Sequence, residues 1–384
     1  MSRLRYVFII SFVAVGFLSA FLSGYFLNSY FTPRPNEFPI LNQSYNILIN
    51  HSFLDLPGHS TLEYGMIRGL LLSSEDPYAT FQEPVQHELE SNNLQGSFGG
   101  IGVELTRSSE GNILVFPISN GPAFQAGIHK GDQLLWIDDI EIGTDTQIDE
   151  IKAAIRGPVG KSVKIIIARD DHGSELEFNV RRDRIHLPSV TWYVAPEDSQ
   201  IGIININIIA ESTTEEIKNA VREMQKDGTN RYILDLRDNG GGLLTAGIDT
   251  ARLFLHEGVI LQQQYRGEDV ETFTVIAPGP LADLPLVILI NHNTASAAEI
   301  VAGALQKHHR ALLIGEPSFG KDSIQLIFDL QDGSSLHVTA AKWWIPGLNP
   351  TLGEGGLQPD LYVSQDESGN DLVMISALEY LREQ

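Results

Sequence analysis

One stretch of the chain decides the fold: residues 286–306 read LVILINHNTASAAEIVAGALQ. Its five apolar residues Leu286–Ile290 predict a buried strand, and after a short polar turn an apolar helix begins directly behind Ser296. A serine between a strand and a helix presents its hydroxyl at the edge of a sheet. The following backbone N–H groups and the positive end of the helix dipole face whatever that hydroxyl attacks. The stretch therefore predicts an α/β fold with a candidate nucleophile at Ser296.

The residues on either side of this stretch support that fold class. Strands are predicted at Ile201–Ile208 and Tyr232–Leu236, and the amphipathic helix Thr213–Lys226 lies between them. Alternation of strands and helices is typical of an α/β domain with largely parallel strands. From Gly96 to about Arg182 the pattern changes to short strands broken by Gly, Asn and Asp, which predicts a β-rich insert.

Lys321 is the candidate base for this serine. It lies in the segment IGEPSFGKDSIQ, in which Lys321, Ser323 and Gln325 share one face if the chain is extended. A serine hydroxyl is a poor nucleophile until a base removes its proton, and lysine can do so when burial lowers its pKa. His292, four residues before Ser296, is the alternative base, although no second motif positions it.

A glycine-rich turn follows a second predicted buried strand, in the sequence DLRDNGGG at residues 235–242. Glycines allow the backbone to approach closely and can direct N–H groups at a developing negative charge. Asp235 and Arg237 could be a catalytic carboxylate and an anion clamp. We favour the other interpretation, in which they form a supporting ion pair.

The β-rich insert begins with a second glycine-rich loop. Its candidate peptide-binding residues are consecutive: Gly99, Gly100, Ile101, Gly102 and Val103. Glycines beside an alternating strand can turn several N–H groups toward one carboxylate. The loop, the later AGI-x-x-GD motif and the helix Gln147–Ile155 together resemble a PDZ domain. That resemblance implies a groove that binds the C-terminal residues of a protein as an added strand.

Four segments together resemble the carboxyl-terminal processing proteases, also called tail-specific proteases. The segments are TASAAEIVAGALQ, IGEPSFGKDSIQ, DLRDNGGG and the PDZ-like insert, and the likeness runs from about Leu62 to Asp360. The resemblance implies a serine endopeptidase with a ClpP/crotonase-like α/β core. It also implies that the substrates are proteins or peptides with free C-termini.

The same resemblance implies a role for each matching residue. Ser296 corresponds to the nucleophile, Lys321 to the general base, and Gln325 to the residue that orients the lysine. The backbone amides implied for the oxyanion hole are those of Ala297 and of either Gly241 or Gly242.

The chain departs from the family pattern directly after the lysine, where Asp322 replaces the usual glycine. A carboxylate close to Lys321 would raise the pKa of the lysine and oppose its use as a base. Strand alternation suggests instead that Asp322 points away.

The first residues predict an export signal or a membrane anchor. Arg3 and Arg5 precede the uncharged stretch Tyr6–Leu27, which as a helix of about 1.5 Å per residue would be roughly 33 Å long and span a bilayer. A cleaved signal peptide is the alternative, but its apolar part is normally about 7–15 residues. The flanking arginines predict that the rest of the chain lies outside the cytoplasm, as a single-pass membrane protein.

Composition excludes several classes of function. The net charge is −23, which argues against nucleic acid as a partner because phosphate binding needs clustered Lys and Arg. The chain contains no cysteine, so thiol nucleophiles, disulfides and iron–sulfur clusters are excluded. We expect no metal, since no HExxH or comparable spacing occurs, and no cofactor. The expected partners are peptide substrates and the membrane, and other copies of the chain, in a homo-oligomer, are a further candidate.

These observations give a domain plan and a function. We divide the chain into a cytoplasmic tip with anchor and tether (1–35), an N-terminal helical segment (36–95), the PDZ domain (96–182) and the serine protease core (183–384). The predicted fold is an α/β, ClpP/crotonase-like core with an inserted PDZ domain, preceded by a transmembrane helix. The alternatives are an inactive PDZ scaffold and a trypsin-like protease, which the absence of a G-x-S-G segment disfavours.

Overall fold

The structure is a computed structural model, and it describes residues 38–169, 174–348, 355–364 and 370–384. The chain forms two compact units, residues 1–66 and 67–384. The first unit contains α1, Pro39–His51, and the start of α2, His59–Leu72. Neither helix has a buried residue.

The second unit opens with the β-rich insert and the elements that lead into it. In chain order these elements are β1 Thr80–Gln82, α3 Pro84–Gln95, β2 Ser97–Gly100, β3 Val103–Arg107, β4 Ile113–Pro117, α4 Pro122–Ala126, β5 Asp132–Ile137, β6 Ile140–Glu141, α5 Ile148–Ile155, β7 Ser162–Arg169, β8 Ser174–Arg181 and β9 Asp183–His186. An antiparallel sheet has the strand order β3-β4-β5-β7-β8, with β6 beside β5, and β2 pairs separately with β9. Alternate strand residues point inward to a core of their own, together with residues of α5.

The α/β core follows the insert. Its elements are β10 Val190–Val194, β11 Ile201–Ile206, α6 Thr213–Lys226, β12 Arg231–Asp235, α7 Leu244–Phe254, β13 Val259–Tyr265, β14 Glu271–Thr274, β15 Leu286–Ile290, α8 Ala297–Lys307, β16 Leu312–Gly315, β17 Ser323–Asp329, β18 Ser335–Trp344, β19 Leu361–Tyr362 and α9 Leu372–Arg382. The strand order of the main sheet is β10-β11-β12-β15-β16-β19, with every pair parallel except β10 and β11.

The main sheet is covered on both faces. Helices α6, α7 and α8 pack on one face and α9 packs on the other, each with its own cluster of buried side chains. All five residues of β15 are buried for this reason, as its unbroken apolar sequence predicts. The carboxyl end of this central strand leads to Ser296.

A second sheet brings the lysine segment to that same end. Its strand order is β1-β18-β13-β14, and β17 pairs with β18 in antiparallel register, so that Gln325 lies opposite Thr339. Lys321 directly precedes β17. The two sheets therefore place Ser296 and Lys321 at one site.

The predicted fold class was wrong in one part, the preceding transmembrane helix. A bilayer span needs about 20 residues in a helix, whereas the helices α2 and α6 have 14 residues each. No helix within the described ranges is long and apolar enough to cross a membrane. The stretch Tyr6–Leu27 that led to the prediction lies outside the described residues. The fold class is corrected to an α/β core with an inserted β-rich domain.

Candidate active site

Ser296 occupies an unusual backbone conformation immediately before α8. Its φ is 55° and its ψ is −120°, values that residues other than glycine rarely adopt. Hydrogen bonds hold the turn in this shape: the Ser296 N–H donates to Glu299 Oε2 over 2.8 Å, and the Ala295 N–H donates to Asn239 O over 2.9 Å. Such strain persists where the surrounding structure enforces it, and it is concentrated at functional sites.

The glycine turn at residues 240–242 packs directly against this serine. A Cβ atom at Gly241 would lie 2.8 Å from Ser296 Cβ, so only glycine fits there. The Gly241 N–H donates to Asn239 Oδ1 over 2.9 Å. Gly242, in contrast, lines the cavity in which Ser296 and Ala297 lie. Of the two glycines that the sequence left open, Gly242 is the one at the cavity wall.

Lys321 and Gln325 form a hydrogen-bonded pair in the same cavity. Lys321 Nζ donates to Gln325 Oε1 over 2.8 Å, and Gln325 Nε2 donates to the carbonyl oxygen of Tyr78. Burial lowers the pKa of Lys321, although the carboxylates of Asp76, Glu299 and Glu90 oppose that shift in this order. A lysine with a lowered pKa has a larger neutral fraction and can accept a proton.

Glu299 is hydrogen-bonded both to Ser296 and to the segment that contains Lys321. Its side chain is fully buried, and it accepts hydrogen bonds from the backbone N–H groups of Ser296, Gly320 and Lys321 over 2.7–3.0 Å and from the Ser318 hydroxyl. Burial raises the pKa of Glu299, and these four hydrogen bonds oppose the shift. One carboxylate thus fixes the backbone of both candidate catalytic residues.

The cavity has a volume of about 230 Å³ and combines polar groups with apolar walls. Its residues come from the glycine turn, the start of α8, the lysine segment, α3 and β18: Glu90, Leu94, Gly240, Gly242, Leu243, Leu244, Ser296, Ala297, Ile300, Lys321, Ser323, Ile324, Gln325, Ile327, His337 and Trp343. Five of the six sequence-predicted catalytic and oxyanion residues line the cavity. The sixth, Gly241, packs against Ser296 but does not line the cavity.

Two residues that could have complicated this site point elsewhere. The Asp322 carboxylate lies 3.3 Å from Lys342 Nζ, on the side away from the cavity. The His292 side chain is 72% exposed, and its Nδ1 lies 3.5 Å from a carboxylate oxygen of Glu316. Asp322 therefore pairs with Lys342 and not with Lys321, and His292 is not positioned as a base.

Asp235 and Arg237 have the geometry of a supporting ion pair. Both carboxylate oxygens of Asp235 accept from Arg237, the closest over 2.7 Å, and the same guanidinium donates to both oxygens of Asp371 over 2.8 and 2.9 Å. These bonds hold the pKa of Arg237 above its ordinary value despite burial. The pair fastens the end of β12 to the start of α9 beneath the glycine turn.

A second cavity, of about 430 Å³, lies between β3 and α5 in the β-rich insert. Ile101, Gly102 and Val103 line it, as the sequence predicts for a peptide groove. Gly99 and Gly100 do not, because they belong to β2 and pair with β9. Arg156 at the end of α5 also lines the groove, with its guanidinium 4.1 Å from the centre of the Phe98 ring.

Sequence reasoning missed two residues that hold the cavity-lining side chains and backbone in place, Glu299 and Tyr78. Glu299 stands three residues after Ser296, and a Ser-x-x-Glu pattern at the start of a helix is a recognisable capping signal. Tyr78 carried no comparable signal, because it reaches Gln325 only through folding. No cluster of three or more His, Asp or Glu side chains that could hold a metal ion occurs in the part of the chain that the structure describes.

Comparison with known proteins places these features in a family. Residues 200–363 match the model of peptidase family S41, and residues 99–180 match that of the PDZ domain. A carboxyl-terminal-processing protease of Picosynechococcus is 36% identical over 326 residues, which cover 84% of this chain and 78% of that protein. The carboxy-terminal processing protease CtpA of Bacillus subtilis is 32% identical over 348 residues, 89% of this chain and 73% of the relative.

The chain is also similar to a protein of solved structure. The photosystem II D1 C-terminal processing protease is 26% identical, with a TM-score of 0.45 over 84% of this chain and 86% of that chain.

Proposed function

The chain belongs to the carboxyl-terminal processing serine proteases of peptidase family S41, and from this premise we propose that Ser296 and Lys321 form its catalytic pair. The observation that carries the proposal is the shared cavity, which both the strained serine and the half-buried lysine line. Gln325 holds the lysine Nζ in place through Oε1. The resemblance seen in the sequence is thus confirmed at the level of the family, and the residue roles are the proposal.

The proposed reaction has two halves. Neutral Lys321 accepts the proton of the Ser296 hydroxyl while the serine oxygen bonds to the scissile carbonyl carbon. The lysine then gives that proton to the leaving amine as the peptide C–N bond breaks, which leaves an acyl-enzyme. In the second half Lys321 accepts a proton from water, the water oxygen attacks the acyl carbon, and the serine leaves with its proton restored.

The developing oxyanion needs donors that are already in place. The Ala297 N–H at the start of α8 and the Gly242 N–H are the two amides proposed for this role, since both residues line the cavity beside Ser296. The N-terminal end of α8 adds the favourable end of a helix dipole. Gly241 is not proposed as a donor because its N–H already bonds to Asn239.

The proposed base gives a pH prediction. Only neutral Lys321 can accept a proton, so kcat/KM should rise with pH through the lowered pKa of Lys321 and then level off. Glu90→Gln should shift the rise to lower pH, because the Glu90 carboxylate favours the charged lysine. Asp322→Gly is the matched control and should leave the rise in place, since Asp322 faces Lys342. The measurement is the pH–rate profile on a peptide substrate. A shift of its rise in Asp322→Gly would contradict the assignment of Asp322 to Lys342 rather than to Lys321.

Substrate selection by the C-terminal end is the second part of the proposal. Support comes from the PDZ match and from the groove between β3 and α5, which is open beside a strand edge. A bound C-terminal segment would add a strand beside β3, with its carboxylate near Gly102 and the positive charge of Arg156. Ile101, Val103 and Ile155 give the groove apolar walls.

A test of this selection compares one peptide with a free C-terminus and its C-terminal amide. The amide should have a kcat/KM lower by about 10-fold or more, because a hydrogen bond to a charged group contributes about 1.5–3 kcal/mol. N-terminal acetylation of the same peptide is the matched control and should change little. Equal rates for the acid and the amide, well below saturation, would remove carboxylate recognition and leave the peptidase assignment intact.

The place of action is also a proposal. Arg3 and Arg5 ahead of an uncharged apolar stretch support export of the residues that follow, so we propose that the peptidase acts outside the cytoplasm. The inactive PDZ scaffold is the remaining alternative function. The cavity geometry favours the enzyme, because a scaffold has no need for a strained serine and a half-buried lysine in one cavity.

A further inference from the structure

The loop that precedes β1 contacts two residues of the Ser296 cavity, Lys321 and Gln325, from a distant part of the sequence. The carbonyl oxygen of Tyr78 accepts the hydrogen bond from Gln325 Nε2, and the Tyr78 ring centre lies 5.3 Å from Lys321 Nζ. β1, which follows the loop, pairs with β18 and anchors it to the second sheet. The loop has the sequence EDPYAT at residues 75–80, and the reaction described above gives it no role.

Asp76 holds this loop against the strand that supports Gln325. Asp76 Oδ1 accepts from the Tyr78 N–H and the Thr339 hydroxyl, both over 3.0 Å, and Oδ2 accepts from the Thr339 N–H over 3.2 Å. Although burial opposes ionisation, hydrogen bonds from Tyr78 and Thr339 hold the pKa of Asp76 below its usual range. Thr339 lies directly opposite Gln325 in the β17–β18 ladder. One carboxylate therefore fixes both the carbonyl that Gln325 contacts and the residue facing Gln325.

The chemistry of the Gln325 amide makes this position matter. A carbonyl oxygen can only accept a hydrogen bond, so Tyr78 O requires the NH₂ end of the Gln325 amide. The oxygen end is then turned to Lys321, where it accepts from Nζ. If the Tyr78 carbonyl moves away, the amide is free to rotate and to present its NH₂ group to the lysine. That group would donate to the lone pair of the neutral amine, which the base needs in order to accept a proton.

We propose that Asp76 is a positioning residue for the general base: through the Tyr78 carbonyl it sets the orientation of the Gln325 amide and so the direction of Lys321 Nζ. The proposal rests on the proposed roles of Lys321 and Gln325. Asp76 does not line the cavity that holds Ser296 and Lys321, and its effect on the orientation of the Gln325 amide is exerted through Tyr78 and Thr339.

The charges that face Lys321 give the proposal a second readout. They come from the loop before β1, from α8 and from α3: Asp76, Glu299 and Glu90, in decreasing order of effect on the lysine. His337 on β18 also faces this group. Because the Asp76 carboxylate favours charged Lys321, its neutralisation should shift the rise of the pH–rate profile to lower pH while lowering the plateau.

The test is a double-mutant cycle between Asp76→Asn and Gln325→Ala in the full chain. Asparagine keeps the size of Asp76 but can accept at only one end, so one of the bonds to Tyr78 or Thr339 is lost. In the wild-type background Asp76→Asn should lower kcat by up to about 10²-fold with KM nearly unchanged, as expected when a reacting group is misplaced. In the Gln325→Ala background it should add little further loss, because the amide through which it acts is gone.

Two further variants make the outcome decisive. Glu75→Gln removes one charge from the same loop at an exposed position and should leave kcat and the pH profile unchanged. Thr339→Val removes one donor to Asp76 and should produce a smaller loss of kcat. This variant tests the same contact if Asp76→Asn lowers the melting temperature.

Additive losses in the cycle, or a pH profile that stays in place in Asp76→Asn, would overturn the positioning role. Failure of the proposed function gives a different result. In that case Gln325→Ala and Ser296→Ala would themselves leave activity unchanged.

Discussion

Replacing Ser296 or Lys321 by alanine should each lower kcat/KM by about 10⁴-fold or more, and the double mutant should be scarcely worse than either single one. In the proposed mechanism the serine oxygen forms the bond and the lysine accepts its proton, so loss of either group removes the same step. Non-additivity follows because the two groups act as a unit. The measurement is cleavage of one peptide by the four chains, the wild type, the two single mutants and the double mutant, under identical conditions.

A matched control is available for the lysine. Lys342 on the neighbouring strand β18 has a side chain that is 75% exposed, and Lys342→Ala removes the same charge outside the cavity. It should retain nearly full activity. Appreciable activity in Lys321→Ala, or losses in the double mutant that equal the product of the single losses, would point to another base such as His292.

The second large effect is expected at Glu299. Glu299→Ala leaves three backbone N–H groups and the Ser318 hydroxyl without their acceptor in a buried site. Each such buried donor costs about 1–3 kcal/mol, so we expect the free energy of unfolding to fall by several kcal/mol and activity to be lost with it. Thermal unfolding and peptide cleavage of the same preparation measure both.

The isosteric variant Glu299→Gln separates the effect of Glu299 on the placement of the catalytic residues from its effect on the stability of the fold. Burial raises the pKa of Glu299, so the ionised carboxylate opposes folding as the pH rises above the pKa of an unfolded glutamate. Glutamine removes that cost but turns an NH₂ group toward one pair of donors, so we expect a smaller fall in the free energy of unfolding than with Glu299→Ala, together with a loss of kcat of about 10²-fold. Glu316→Gln, beside exposed His292, is the control. Unchanged kcat in Glu299→Gln would contradict the role given to this carboxylate.

Much of the core fold could be predicted from local patterns. The helix Thr213–Lys226 and the strand Leu286–Ile290 have the predicted bounds, because amphipathic and fully apolar periodicities are set by residues close in sequence. The position of Ser296 before a helix was predicted for the same reason. The apolar stretch Tyr6–Leu27 that follows Arg3 and Arg5, in contrast, predicted a transmembrane helix, and no helix in the described part of the structure could span a membrane.

The parts of the site that sequence reasoning missed depend on contacts between distant segments. The orientation of Asp322 is not among them, because strand alternation predicted that it points away from Lys321, and its contact with Lys342 on the next strand agrees. The choice between Gly241 and Gly242 depended on the Asn239 side chain. Gly99 was placed in the peptide groove because a nest of N–H groups was expected there, but pairing of β2 with β9 takes that residue into a ladder.

The most direct test of the central claim is incubation of an unfolded protein that has a free C-terminus with the wild-type chain and, in parallel, with Ser296→Ala. Products are identified by mass spectrometry after equal times. We predict internal cleavage products with the wild type, formed without added metal and in the presence of a chelator, and none with Ser296→Ala. The same products at the same rate from both chains would contradict the assignment of Ser296 as the nucleophile.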